Sequence, residues 1–203
     1  MTAATLSPAR PIMRWRVVDI VVAAVFAVAG GVVFWAWNIG YQVPSAGLEA
    51  AVPGLGALTG GLWMMPGVLA GLVIRKPGAA LFVEIVAAFV SMLIGAQWGA
   101  DTLLSGVFQG IGAELAFAIL LYRRFGFGVA VLAGALAALA EVPHELIVYY
   151  PGVSSAYVAV FIAALTVSGA VLAGVLAWAL ARALAASGVL NRFAAGRERR
   201  AEV

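Results

Sequence analysis

Residues 17–37 read VVDIVVAAVFAVAGGVVFWAW. Apart from Asp19 the stretch is uncharged, and its apolar residues run on without the three-to-four spacing of a helix that keeps one face in water. At about 1.5 Å per residue it is long enough to cross a hydrocarbon core of about 30 Å. It outruns the apolar core of a secretory leader, and no small-residue cleavage site followed by a soluble domain comes after it. We therefore expect it to be retained as a membrane-spanning helix.

Outward from this stretch, five further apolar runs can be marked, at 57–74, 78–95, 103–121, 127–148 and 157–180. The whole chain agrees with them. It is 65% hydrophobic and 10% charged, with a mean hydropathy of +1.08. A soluble domain carries about 25% charged residues, so this chain lacks the polar surface to face water. The expected fold is an all-α integral membrane protein, a bundle of six transmembrane helices. It forms a single membrane domain over 1–203, with 185–203 as a basic cytoplasmic tail.

The cations orient the bundle. Arg10, Arg14 and Arg16 precede the first run, Arg75 and Lys76 separate the second from the third, and Arg123 and Arg124 separate the fourth from the fifth. Arg182, Arg192, Arg197, Arg199 and Arg200 follow the sixth, the last of them mixed with Glu198 and Glu202. The other three connections hold no Lys or Arg, so all 12 basic residues fall on one side. The positive-inside rule makes that side cytoplasmic, with both termini on it, in a multi-pass protein of the cell membrane. The opposite ends carry Trp35, Trp37, Tyr41, Trp98, Tyr149, Tyr150 and Tyr157, which read as an interfacial belt or as pocket walls. The long Gly-, Pro- and Ala-rich connection 38–56 suits a lid.

Several chemistries are excluded. With 0 cysteines there is no disulfide or thiolate site, and one histidine, His144, leaves little for a metal centre. The net charge of +3 is not a nucleic-acid footprint, because the cations sit between apolar runs. No phosphate-binding G-x-x-x-x-G-K-[ST] loop, intramembrane protease motif, arginine series or selectivity-filter loop is present. Neither enzymatic activity nor a cofactor is expected.

Ionisable residues within apolar runs are functional candidates by default. Asp19 lies beside Arg14 and Arg16 and reads as an ion pair. Glu84 and Glu114, counted from Lys76 and Arg123, fall about 12–14 Å from the basic side, close to mid-membrane. Gln109 is five residues from Glu114, about 140° around the helix, so the two cannot share one narrow pocket, and Glu114 stands open between binding and helix packing. Glu141 and Glu145 share a face beside Pro143 and His144. Glu145, followed by two tyrosines, is the better candidate, and Glu141 reads equally as a solvated helix end. Small residues four apart (Gly56/Gly60, Gly67/Gly71, Gly106/Gly110, Ala23/Ala27) suit close helix packing.

MRWRVVDI at 13–20, GLWMMPG at 61–67, IRKPGAALF at 74–82 with Glu84, GAQWG at 95–99 and QGIGAELAF at 109–117 together resemble a known family. It is the substrate-binding (S) component of energy-coupling factor transporters, in its YkoE-like branch for thiamine and hydroxymethylpyrimidine. The likeness resumes at YYP, 149–151, and in GVLNRFAAGR, 188–197. Met64, Met65 and Met92 depart from it, standing where branched apolar residues are expected. The resemblance implies a non-catalytic capture subunit that binds a vitamin from outside. A transmembrane coupling (T) protein and two cytoplasmic ABC ATPases then import it. It implies a docking face for the coupling protein at Ala23 and Ala27. By motif match and depth, the substrate-binding candidates are Glu84, Gln97, Trp98, Gln109 and Glu145, followed by Trp63, Asn38, Tyr41 and Glu114. Trp98 also reads as a belt residue and Gln97 as a helix end. The rival readings are another small ligand on the same fold, a stand-alone channel or proton-coupled carrier using Glu84 and Glu114, and a non-transporting assembly factor.

Overall fold

A computed structural model describes residues 13–201; Arg10 and Glu202, and the side chains of Arg199 and Arg200, lie outside the described set. The described residues form helices joined by turns, with no strand among them. Helix α1 (Val17–Gly40) is followed by α2 (Gln42–Ala51), a 3-10 stretch (Leu55–Met64) and α3 (Met65–Ile74). Then come α4 (Ala79–Ile94), α5 (Asp101–Ile119) and α6 (Phe127–Val148). A last column joins α7 (Ser155–Ser168), a π-helical stretch (Gly169–Val175) and α8 (Leu176–Ala186), with α9 (Ala194–Ala201) after it.

Among the described residues 5 helical runs are long and apolar enough to cross a bilayer: Val17–Gly40, Leu55–Ile74, Asp101–Ile119, Phe127–Val148 and Ser155–Ala186. Ala79–Ile94 is apolar but has 16 residues, about 24 Å of helix. Left-handed glycines end it on both sides, Gly78 at φ 83° and Gly95 at φ 110°, a conformation that costs glycine little.

Packing relies on close backbone approach, as expected where lipid supplies no hydrophobic drive between helices. Gly134 on α6 lies against Gly169 and Gly174 of the π-helical stretch, and a Cβ on Gly134 would collide with the Gly169 carbonyl. The 3-10 stretch is fixed in the same way, because Gly61 donates its N–H to Ser168 Oγ at 2.8 Å. Pro66 falls in the first turn of α3, where a missing N–H costs nothing. Ala23 and Ala27 are fully buried on the inner face of α1, and Gly30, one turn on, packs against Pro66 and Ala87. The two alanines named as the docking face thus lie within the bundle of this chain. Those alanines serve internal helix packing, and what α1 exposes is chiefly valine and isoleucine, Val21, Val25 and Val28 among them.

Contacts gather the basic residues at one end. Arg16 bonds Asp19 at 2.7 Å, and Lys76 reaches the Arg14 carbonyl at 2.7 Å and Asp19 at 3.8 Å. Trp15 donates to the Pro77 carbonyl, and Arg75 lies over Phe125 while its guanidinium grips Glu198 at 2.5 and 2.7 Å. The C-terminal segment is thus docked rather than merely solvated, with Leu190 and Phe193 buried beneath it. The Arg75 guanidinium holds the Glu198 carboxyl below its ordinary range. At the opposite end the connection that suits a lid is mostly helix. Glu49 of α2 accepts the N–H groups of Gly54 and Gly56 and ties it to the 3-10 stretch.

Candidate functional site

A cavity of about 350 Å³ opens near the end of the bundle remote from the cations. Its walls come from the last turns of α1, Ser45 of α2, the 3-10 stretch, Ala88 and Ser91 of α4, one face of α5, the far end of α6, and Phe161 and Leu165 of α7.

One wall is aromatic. Tyr41, Trp63 and Trp98 come from three separate elements and pack mutually, with ring centroids 4.9 Å (Tyr41–Trp63), 5.6 Å (Trp63–Trp98) and 5.8 Å (Tyr41–Trp98) apart. Hydrogen bonds fix them. Trp63 donates to Asn38 Oδ1 at 2.8 Å, Asn38 donates in turn to Ser91, and Tyr41 Oη accepts from Gln97 at 2.9 Å. The faces left open offer negative quadrupole density to a planar or cationic ligand.

The lining also has a polar part. Thr102, Ser105 and Gln109 recur at helical spacing on α5, facing Glu141 and Glu145 of α6. Behind Glu141 stands a chain of contacts. His144 Nδ1 lies 2.9 Å from Glu141 Oε1, His144 Nε2 lies 3.2 Å from Asp101 Oδ1, and the Tyr149 hydroxyl donates to Asp101 Oδ2. Burial, and then the Asp101 carboxylate, push the Tyr149 phenol above its ordinary range, so it stays a neutral donor. Glu141 is 1% exposed, which corrects its reading as a solvated helix end.

Asn38, Tyr41, Trp63, Trp98, Gln109 and Glu145 therefore meet in one cavity, and Met64 joins them on its lining. Glu84, Gln97 and Glu114 lie outside that lining. Gln97 is exposed at the rim, where it bonds Tyr41 and Gln42. Glu84 Oε2 accepts the Gly67 N–H at 2.7 Å, satisfying an orphan donor at the start of α3. Glu114 reaches toward the basic end rather than into the cavity. It accepts the N–H groups of Gly78, Ala80 and Leu81 and the Tyr122 hydroxyl, which places its carboxylate at the α3–α4 turn on the basic end. Sequence reasoning passed over Asp101, Thr102 and Ser105. The 102/105/109 spacing was a visible signal, whereas the Asp101–His144 contact joins residues far apart in the chain.

An all-helical membrane bundle with a ligand-sized cavity near one end is the architecture of a solute-binding membrane protein. Comparison with known proteins narrows the class. Residues 18–140 match the family described as ABC-type cobalt transport system, permease component. The chain is 35% identical over 185 residues to YkoE of Bacillus subtilis (strain 168), named as an HMP/thiamine permease protein, covering 91% of this chain and 92% of that one. It superposes with a TM-score of 0.86, at 34% identity, on a crystal structure of an S-component of an ECF transporter, covering 93% of this chain and 95% of that one. The chain belongs to the family of ECF transporter S components, in the branch that includes YkoE. It is a multi-pass protein of the cell membrane and a transport subunit rather than a catalyst.

Proposed function

We propose that this S component captures thiamine or its hydroxymethylpyrimidine precursor from outside the cell. A transmembrane coupling protein and two cytoplasmic ABC ATPases complete the import. The observation that carries the reading is the mixed aromatic and acidic lining of the cavity. Three clustered aromatic rings share with two carboxylates and an amide the lining of one cavity of about 350 Å³, within the range of small-molecule sites. Thiamine matches both parts, because its thiazolium is a flat cation for aromatic faces and its aminopyrimidine presents N–H donors to carboxylates. The name of YkoE points the same way. The cobalt named in the family description suits the site less well, because both ring nitrogens of the single histidine already face carboxylates.

In this reading the chain is one membrane domain of six spans. Ala79–Ile94 is the sixth, its 16 residues extended to bilayer thickness by the turns on either side. The basic end and both termini face the cytoplasm, and the cavity opens outward. A proton relay through Glu84 and Glu114 finds no support, since those acids cap two different helices.

Titration calorimetry of the purified protein in detergent should show micromolar or tighter binding of thiamine; no heat with either thiamine or hydroxymethylpyrimidine would rule the substrate out. The chain has 0 cysteines, so single cysteines placed at Arg123 and at Gly152 report topology directly. An impermeant thiol reagent added to intact cells should label the second alone, and labelling at Arg123 would overturn the orientation.

A further inference from the structure

The polar wall contains buried atoms that the protein itself leaves without partners. Glu141 Oε1 is engaged by His144, while Oε2 has no hydrogen-bond partner. Thr102 Oγ1, on the facing helix, has none either. Both residues line the cavity. A buried carboxylate oxygen without a donor is costly, and such atoms beside a cavity call for a ligand that supplies the missing bonds.

The type of ligand group follows from what each atom can do. A carboxylate only accepts, so whatever meets Oε2 must donate an N–H or O–H. A threonine hydroxyl donates or accepts, and beside an acceptor-only neighbour its free role is to donate to a ring nitrogen. A donor and an acceptor on adjacent atoms of a flat ring form the edge of an aminopyrimidine, the exocyclic amine next to a ring nitrogen. The orientation of Glu141 is not left to chance. His144 lies between Glu141 and Asp101 with both ring nitrogens engaged, and Tyr149 holds Asp101 from the far side.

We propose that Glu141 and Thr102 form the subsite that reads the aminopyrimidine edge. The exocyclic amine donates to Glu141 Oε2, and the ring nitrogen accepts from Thr102 Oγ1. Asp101 and His144 act as positioning residues. The inference rests on the vitamin-capture reading and adds an orientation to it: the pyrimidine lies against α5 and α6, and the thiazolium against Tyr41, Trp63 and Trp98.

The test is calorimetry with four ligands on the full chain in detergent: thiamine, its 4-oxo analogue, the free aminopyrimidine alcohol and the thiazolium fragment. In the wild-type protein the oxo analogue, which offers an acceptor where Glu141 needs a donor, should bind about 10- to 100-fold more weakly than thiamine. In Glu141→Gln the side-chain amide can donate to the oxo group, so the preference should narrow or invert while the thiazolium fragment binds as before. Asp101→Asn should narrow the preference in the same direction by a smaller factor, a change that loss of structure alone would not produce. An oxo analogue that binds wild-type protein within about threefold of thiamine overturns the subsite and leaves the capture function standing. This comparison needs no variant to fold. Failure of all four ligands to bind overturns both the subsite and the capture function.

Discussion

Glu114→Gln separates a structural cap from a proton carrier. In the native carboxylate Oε1 accepts from Gly78 N–H at 2.7 Å and from the Tyr122 hydroxyl at 2.7 Å, and Oε2 accepts from Ala80 N–H at 2.9 Å and Leu81 N–H at 3.3 Å. An amide has one acceptor atom, so in either flip two donors lose their partner and face an NH₂ group instead. Hydrogen bonds to a charged group contribute about 1.5–3 kcal/mol each. One of the four is long, and the turn can relax, so the expected loss is about 3 kcal/mol of stability. At roughly 2–4 °C per kcal/mol for a chain of this size, Tm in detergent should fall by roughly 6–12 °C. Thiamine affinity, measured well below that transition, should stay within about twofold, because Glu114 is not on the cavity lining. Scanning fluorimetry gives the first quantity and calorimetry the second. A variant that melts like the wild type yet no longer binds or transports would refute the cap and restore the relay.

Trp63→Ala removes the central ring of the aromatic wall and the donor to Asn38, and should weaken thiamine binding by about 10- to 100-fold, read by calorimetry. Gly134→Leu forces a side chain into the Gly169 carbonyl and should abolish recovery of monodisperse protein by size-exclusion chromatography. Gly128→Ala, with open space around its Cβ position, should leave that profile unchanged. For Glu198 the folded-state pKa lies below the unfolded one, so its stabilisation is complete above the ordinary carboxylate pKa and fades as the pH falls through the folded value. With its side chain 62% exposed the effect is small; Glu198→Gln should slightly flatten the acid limb of Tm against pH between about pH 5 and 3.

The class of fold was legible in 17–37 and the runs that follow it, because apolar length is set by bilayer thickness and survives any detail of packing. Two of the aromatic residues on the cavity lining were legible for a related reason, since Tyr41 and Trp98 are bulky, amphipathic and close to helix ends, whereas Trp63 came from the motif it stands in. The alanines were ambiguous in sequence, because a small residue every fourth position marks close approach without saying to what. Ala23 and Ala27 meet helices of their own chain. The His144 network was illegible for another cause. His144 and Glu141 are three apart on one helix, but Asp101 reaches them across 43 residues of chain, and no periodicity encodes such a contact.

The acids show where counting along a helix fails and what replaces it. The first N–H groups of every helix have no intrahelical partner, and in a bilayer there is no water to take them. Some acceptor inside the protein has to do so, and a carboxylate also suits the positive end of the helix dipole. Four acids meet that demand. Asp19 accepts the Arg16 N–H at the start of α1, Glu49 those of Gly54 and Gly56 before the 3-10 stretch, Glu84 that of Gly67 in α3, and Glu114 three at the start of α4. Depth alone made Glu84 and Glu114 look like functional groups. Helix starts account for both oxygens of Glu114 and for Oε2 of Glu84, since α3 begins inside the bundle where the 3-10 stretch ends and α4 begins beside the last turns of α5; Oε1 of Glu84 stays buried without a partner, away from the cavity lining. Glu141 and Glu145 sit near the end of α6, where free carbonyls rather than N–H groups accumulate and a carboxylate gains nothing from the helix. An acid kept at that end needs another partner, and the cavity in front of it is where a ligand can provide one.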